Sequence, residues 1–242
     1  MADSKEQAPQ APSKSQWKDL KAGGLIKDKQ KDLFTVRVMA PGGFITTRGL
    51  VKVAEIAKKY GKDYVHLSVR QSPEISGVHY KHFGDIRKEL EDAGVRIASC
   101  GKRVRAVTAC QGCTINPNGL VDTQKLSAQA NDKFFGTDTP HKFKITFGGC
   151  PIDCVRARCA DLGFHGVWHA KLIEEKCTSC TLCVKACQDK SLEMQGGKPV
   201  RDDLKCVHCG DCVKVCPFDA MLVEKIGLSM YAGGKHGKHP RQ

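Results

Sequence analysis

Apolar and polar positions alternate over DLFTVRVM (32–39), which predicts a strand, and APGGF after it reads as a turn. The spacing then becomes helical in TTRGLVKVAEIAKKYG. A threonine stands at its start, Gly61 at its stop, and Leu50, Val53, Ala54, Ala57 and Tyr60 form its apolar stripe. YVHLSVR (64–70) returns to alternation, with Val65, Leu67 and Val69 on one face and His66, Ser68 and Arg70 on the other. HYKHFGDIRKELEDAG predicts a second helix with Phe83, Ile86 and Leu90 inward, and VRIAS (95–99) a closing strand. KFKITF (142–147) alternates again: Phe143, Ile145 and Phe147 turn inward, Lys142, Lys144 and Thr146 outward.

Strand–helix–strand–helix–strand over 32–101 predicts a small α+β half-domain of ferredoxin-like type, with helices on one face of its sheet. The other face carries short polar and basic side chains on two strands. Such a face suits solvent or an anion site, and the pattern alone leaves both open.

Fourteen cysteines are many for 242 residues, and eleven lie between Cys150 and Cys216. The opening residues lack a secretory signal, and no segment approaches the roughly 20 apolar residues that span a bilayer. Short repeated cysteine spacings then favour metal thiolates in a reducing, cytoplasmic compartment over disulfides. The formal charge of +13 raises the question of nucleic acid. No zinc finger, homeodomain helix or aromatic–basic RNA motif accompanies it, and each thiolate-bound cubane removes about two positive charges. Residues 1–31 read as a flexible polar arm and 225–242 as a basic tail, whose His236 and His239 are most simply solvated.

CTSCTLCVKAC supplies Cys177, Cys180, Cys183 and Cys187, and CVHCGDCVKVCP supplies Cys206, Cys209, Cys212 and Cys216. This is the doubled C-x2-C-x2-C-x3-C run of a two-cluster bacterial-type ferredoxin, in which the last cysteine of each run ligates the other [4Fe–4S] cluster. Cluster A takes Cys177, Cys180, Cys183 and Cys216, and cluster B takes Cys206, Cys209, Cys212 and Cys187. Zinc also accepts four cysteines, but two near-identical runs with a proline after the second argue for cubanes. Gln188 stands where proline is usual after the first run. Cys110, Cys113, Cys150 and Cys154 form two further pairs beside Gly112, Gly148 and Gly149, where backbone can approach inorganic sulfide closely. They offer a third cluster, or else four unligated thiols. Cys100 and Cys159 read as ordinary buried side chains.

With HLSVRQ (66–71), RAVTACQG (105–112), HKFKITFGGCPIDC (141–154) and the ferredoxin insert, the chain resembles the siroheme and [4Fe–4S] sulfite/nitrite reductase family. It is nearest to the small, anaerobic and dissimilatory-type sulfite reductases. The resemblance covers about four fifths of the chain and rests on the combination of motifs. It implies a sulfite reductase half-domain (32–101), a siroheme/[4Fe–4S]-binding domain (102–173) and an inserted 2[4Fe–4S] ferredoxin domain (174–224). By position, Arg70, Arg105, Lys142 and Lys144 correspond to the basic groups that hold a small oxyanion over siroheme. Cys154 corresponds to the thiolate shared by the third cluster and the siroheme iron.

Two features depart from the family pattern. The first cysteine motif there is usually C-x5-C, and here Asn116 occupies that place while Cys113 comes three residues early. Larger members also present two related halves where this chain has one, which implies a homo-oligomer or a complex with a related redox subunit. The expected function is sulfite reduction, with electrons from a donor protein passing along [4Fe–4S] clusters to a siroheme-coupled cluster. An iron–sulfur relay subunit without siroheme catalysis, and a siroheme enzyme acting on nitrite, are the alternatives.

Overall fold

A computed structural model describes residues 17, 20, 21 and 23–235. The chain divides into two compact units, one of residues 1–108 and 129–144, the other of 109–128 and 145–242. Among the described residues no helix is long and apolar enough to cross a membrane.

The first unit holds a four-stranded antiparallel sheet of order β1-β2-β4-β3, built from Leu25–Lys27, Leu33–Arg37, Pro73–His79 and Val65–Leu67 respectively. Helices α1 (Thr47–Tyr60) and α2 (Phe83–Asp92) bury Val53, Ile56, Ala57, Ile86 and Leu90 against Phe34, Val36, Ile75 and Val78 of the sheet. The Thr46 hydroxyl caps α1 by accepting from the Gly49 N–H, and the Gly61 N–H closes it on the Ala57 carbonyl.

Several details differ from the alternation. The buried stripe of α1 passes through Ile56, so Leu50 and Ala54 face outward. Strand β3 stops at Leu67, because Ser68–Ser72 turns back with Gln71 in the left-handed region. Leu67 and Val69, expected inward, are therefore 72% and 101% exposed. The strand after the turn, β4, escapes the pattern because it opens on proline and contains Gly77. Segment 95–99 contributes a single bridge, Val38↔Ile97, in place of a strand. The expected N-terminal arm falls largely outside the described residues. Where described, it is structured: β1 pairs with β2, and Trp17 stacks on Phe34 with ring centroids 5.0 Å apart.

The second unit is organised on two long strands, β7 (Leu162–Leu172) and β10 (Met221–Ala232), paired antiparallel along their length. β6 (Ile145–Gly148) runs parallel to β7, and β5 (Thr108–Ala109) completes the order β10-β7-β6-β5. As an interior strand β6 is buried throughout, including Thr146, which was expected outward. Residues 225–232, expected in the basic tail, continue β10 instead. His236 and His239 lie outside the described residues. Between β7 and β10 the chain inserts two short helices, α3 (Leu182–Ala186) and α4 (Asp211–Lys214), and the hairpin β8–β9 (Leu192–Gln195, Lys198–Arg201).

Candidate redox centres

In the insert, the two cysteine runs fold as copies of one another. Ser179 and Thr181 flank Cys180 with left-handed backbone, as His208 and Gly210 flank Cys209. Lys190 and Asp219 repeat the conformation after each run. Alternating handedness of this kind aims successive N–H groups into a concavity suited to an anionic cluster.

Two cavities result. One, of about 360 Å3 with its mouth, is lined by Cys177, Cys180, Cys183 and Cys216. The other, of about 390 Å3, is lined by Cys187, Cys206, Cys209 and Cys212. Each quartet thus takes three cysteines from one run and the last from the other, which is the exchange the spacing implies. They are called quartets A and B below. Burial pushes the Cys209 and Cys212 thiols up to about 11. Burial also pushes Cys216 up, but the N–H groups of Phe218, Met221 and Ala220 outweigh it and leave the thiol below its ordinary range. Iron holds such thiols as thiolates, so loading releases protons and weakens as pH falls.

Four more cysteines belong to the body of the second unit. The Cys110 N–H bonds the Phe147 carbonyl at 3.1 Å, and the Cys110 carbonyl accepts from Thr123 Oγ1 at 2.6 Å and Gln124 Nε2 at 2.7 Å. Its sulfur accepts the Gly149 N–H at 3.0 Å. A Cβ on Gly149 would stand 3.1 Å from that sulfur and 3.1 Å from the Gly112 Cα, so a larger residue there would be tightly packed. Cys150 follows directly and is 8% exposed. Burial raises its thiol, and negative charge at Cys110 and Cys154 raises it further, which places these three sulfurs in one neighbourhood. Cys154 is exposed, after Asp153, whose carboxylate accepts the N–H groups of Ala157 and Arg158 at 2.6 and 3.1 Å.

Cys113 is exposed on a single 3-10 turn, Gly112–Thr114. Asn116 is occupied in the next turn: its Oδ1 accepts from the Asn118 N–H at 2.9 Å and its carbonyl from the Gly119 N–H at 2.8 Å. Of the leftover thiols, Cys100 is buried and Cys159 half-buried. A cleft of about 980 Å3 with its mouth has Cys150, Cys209, Asp189, Asp211, Lys214 and Arg158 among its walls, so the third site and quartet B open on the same space. Among the described residues no three His, Cys, Asp or Glu side chains converge as ligands of a single metal ion would.

The basic residues expected around an oxyanion belong to the first unit. Arg70 sits on the turn between β3 and β4. Burial lowers its pKa, and the charges of Arg37 and Arg105 lower it further. Arg105 is 9% exposed and gives Nη1 to the Ser99 carbonyl at 2.8 Å and Nη2 to the Gly101 carbonyl at 3.0 Å, while its Nε is buried without a partner. Lys142 is exposed and Lys144 partly buried. Arg37, not singled out from the sequence, is the third member of this nest. Strand register sets Arg37 and His66 on either side of Glu74, with Arg37 Nε 2.6 Å from Oε1 and His66 Nδ1 2.9 Å from Oε2. Burial alone would raise the Glu74 carboxyl, but His66 and Arg37 outweigh it and hold it below the usual range.

Residues 26–93 match the nitrite/sulfite reductase ferredoxin-like half domain, and residues 100–242 match the nitrite and sulphite reductase 4Fe-4S domain. The chain belongs to the nitrite and sulphite reductase family. It is 35% identical over 217 residues to the Coenzyme F420-dependent sulfite reductase of Methanocaldococcus jannaschii, a match over 89% of this chain and 35% of that protein. It is 30% identical over 196 residues to a subunit of the anaerobic sulfite reductase of Salmonella typhimurium, covering 74% of this chain and 57% of that one. The crystal structure of dissimilatory sulfite reductase I shares the fold, with a TM-score of 0.66 at 19% identity over 84% of this chain and 54% of that chain. The chain therefore spans only part of the relatives it matches.

Proposed function

We propose that this chain is a sulfite reductase, or the redox subunit of one, carrying three [4Fe–4S] clusters and a siroheme. The observation that supports this best is the pair of four-cysteine cavities, with Cys209 of one sharing a cleft with Cys150 of a third cysteine group. The donor chemistry fits. Four thiolates spread around a cavity suit a cube of iron and sulfide, whereas a zinc ion at about 2.3 Å from each sulfur would draw them to one point. When bound, such cubanes supply one-electron carriers, and siroheme an iron site for the six-electron reduction of sulfite.

The chain's own residues then divide the work. Cys177, Cys180, Cys183 and Cys216 hold cluster A, and Cys206, Cys209, Cys212 and Cys187 hold cluster B. Cys110, Cys113, Cys150 and Cys154 would hold the third, and Cys154 would also serve the siroheme. In the first unit three guanidinium groups stand against one carboxylate, Glu74. That surplus suits the macrocycle's carboxylates and an oxyanion, with Arg70 and Arg105 as principal partners and Lys142 and Lys144 as further cations. The partners are a small oxyanion, an electron-donor protein and a second redox subunit or a second copy.

Exposed Cys113 and the engaged Asn116 favour one other reading, a relay subunit without siroheme. The absorption spectrum of anaerobically purified protein decides between them. The proposal expects a Soret band and a band toward the red that shift on adding sulfite. Broad cluster absorption alone would leave the relay, and a shift with nitrite but not with sulfite would move the substrate to nitrite.

A further inference from the structure

The two halves of the ferredoxin insert repeat their backbone but not their donors. Position 191 and position 220 are equivalent, each four residues beyond the crossing cysteine of its run. The Ser191 N–H bonds Cys187 Sγ at 3.2 Å, as the Ala220 N–H bonds Cys216 Sγ at 3.3 Å. Ser191 adds a hydroxyl 3.1 Å from the same sulfur, and Ala220 has none to add. Positions 208 and 179 are equivalent too. His208 Nδ1 stands 3.8 Å from Cys206 Sγ, with its ring held against His169 at a centroid distance of 4.1 Å. The Ser179 hydroxyl instead donates to the Gly197 carbonyl, away from any ligand sulfur. Both side-chain differences favour quartet B, against the additional N–H groups of Phe218 and Met221 that act on Cys216 in quartet A.

Hydrogen bonds to ligand sulfurs stabilise the more negative, reduced cubane and raise its potential. Burial of Cys209 and Cys212 and the carboxylates of Asp189 and Asp211 act the other way. Asp189 is exposed, however, and Asp211 has Lys214 at 3.9 Å, so solvent and a counter-ion screen them. The donors touch the ligand itself, where charge-assisted hydrogen bonds are strongest.

We propose that Ser191 and His208 make the quartet of Cys187, Cys206, Cys209 and Cys212 the higher-potential of the pair. An electron on the quartet of Cys177, Cys180, Cys183 and Cys216 then moves downhill, oxidising that cluster and reducing its neighbour, toward the quartet whose cleft reaches Cys150. This rests on the reading that both quartets hold cubanes.

A redox titration followed by electron paramagnetic resonance tests it on the anaerobically purified chain. Ser191→Ala and His208→Phe should each lower the same wave, the higher of the ferredoxin pair. Ala220→Ser should raise the other. Each single change should alter the distribution of the electron about tenfold, or about 59 mV for a one-electron couple. If Ser191→Ala moves neither wave at full iron content, or moves the lower one, the proposal is overturned. Should Ala220→Ser not fold, the other two variants decide alone. Iron content near zero in the wild type would overturn the underlying reading, a failure the titration cannot mimic.

Discussion

Replacing Gly163 by alanine should strongly destabilise the second unit. A Cβ there would lie 1.9 Å from the Ala157 carbonyl oxygen and 2.4 Å from its carbon, with backbone on both sides of the clash. Gly163 cannot move away cheaply. It sits in β7, registered with Thr146 of β6 and with Tyr231 of β10, so a shift breaks pairing on two sides. Overpacking a core usually costs about 1–3 kcal/mol, and a clash with fixed backbone belongs at or above that upper end. A loss of about 3 kcal/mol lowers the melting temperature by about 6–12 °C for a chain of this size. Gly227→Ala is the control: its Cβ would meet only Val167 Cγ2, at an ordinary 3.5 Å. Thermal unfolding of the two variants should separate them clearly. Equal melting temperatures would show that the turn before β7 is looser than its contacts imply.

The second large effect concerns Cys113. Serine in its place should remove about four cluster irons per chain and leave the ferredoxin pair intact. Cys113 is exposed, so its side chain contributes little to packing and the variant should fold. Its backbone, in contrast, is clamped: its N–H bonds the Val121 carbonyl at 3.0 Å, and a Cβ on Gly119 would come within 2.5 Å of its nitrogen. The preceding Gly112 packs on Gly149, beside the Cys110 sulfur. An exposed thiol on so fixed a turn, one residue from that contact, does little to fill the core, and we assign it to ligation. Mössbauer spectra of the variant check this, since two unchanged cubane signals should remain beside a lost third. Full retention of all three would mean that the third centre uses Cys110, Cys150 and Cys154 without Cys113.

The ferredoxin ligands were legible because their geometry is local. A few left-handed residues between cysteines fix where each sulfur points, and spacing encodes those turns directly. The third group was harder to read. Cys110 and Cys150 meet only because β5 and β6 are neighbours and Gly149 admits the sulfur, which is tertiary information. Helices α1 and α2 were readable from spacing, although Leu50 misled the phase of α1 by one position, about 100° around the axis. Two strands gave the weakest signal: the three residues of edge strand β3 cannot establish alternation, and Pro73 disguised the interior strand β4. Residues 225–232 of β10 were taken for tail although Ile226, Leu228 and Met230 alternate as strand residues do. Arg37 looked like any polar strand residue, and only its register with Glu74 reveals the arginine nest.

The account turns on whether Cys110, Cys113, Cys150 and Cys154 hold a cluster of their own. Iron and acid-labile sulfide per chain, measured on wild-type protein purified without oxygen, address this most directly. Three occupied quartets predict about twelve irons and about twelve sulfides, with one further iron when siroheme is present. About eight of each would contradict the account, leaving two ferredoxin clusters on a body that holds none.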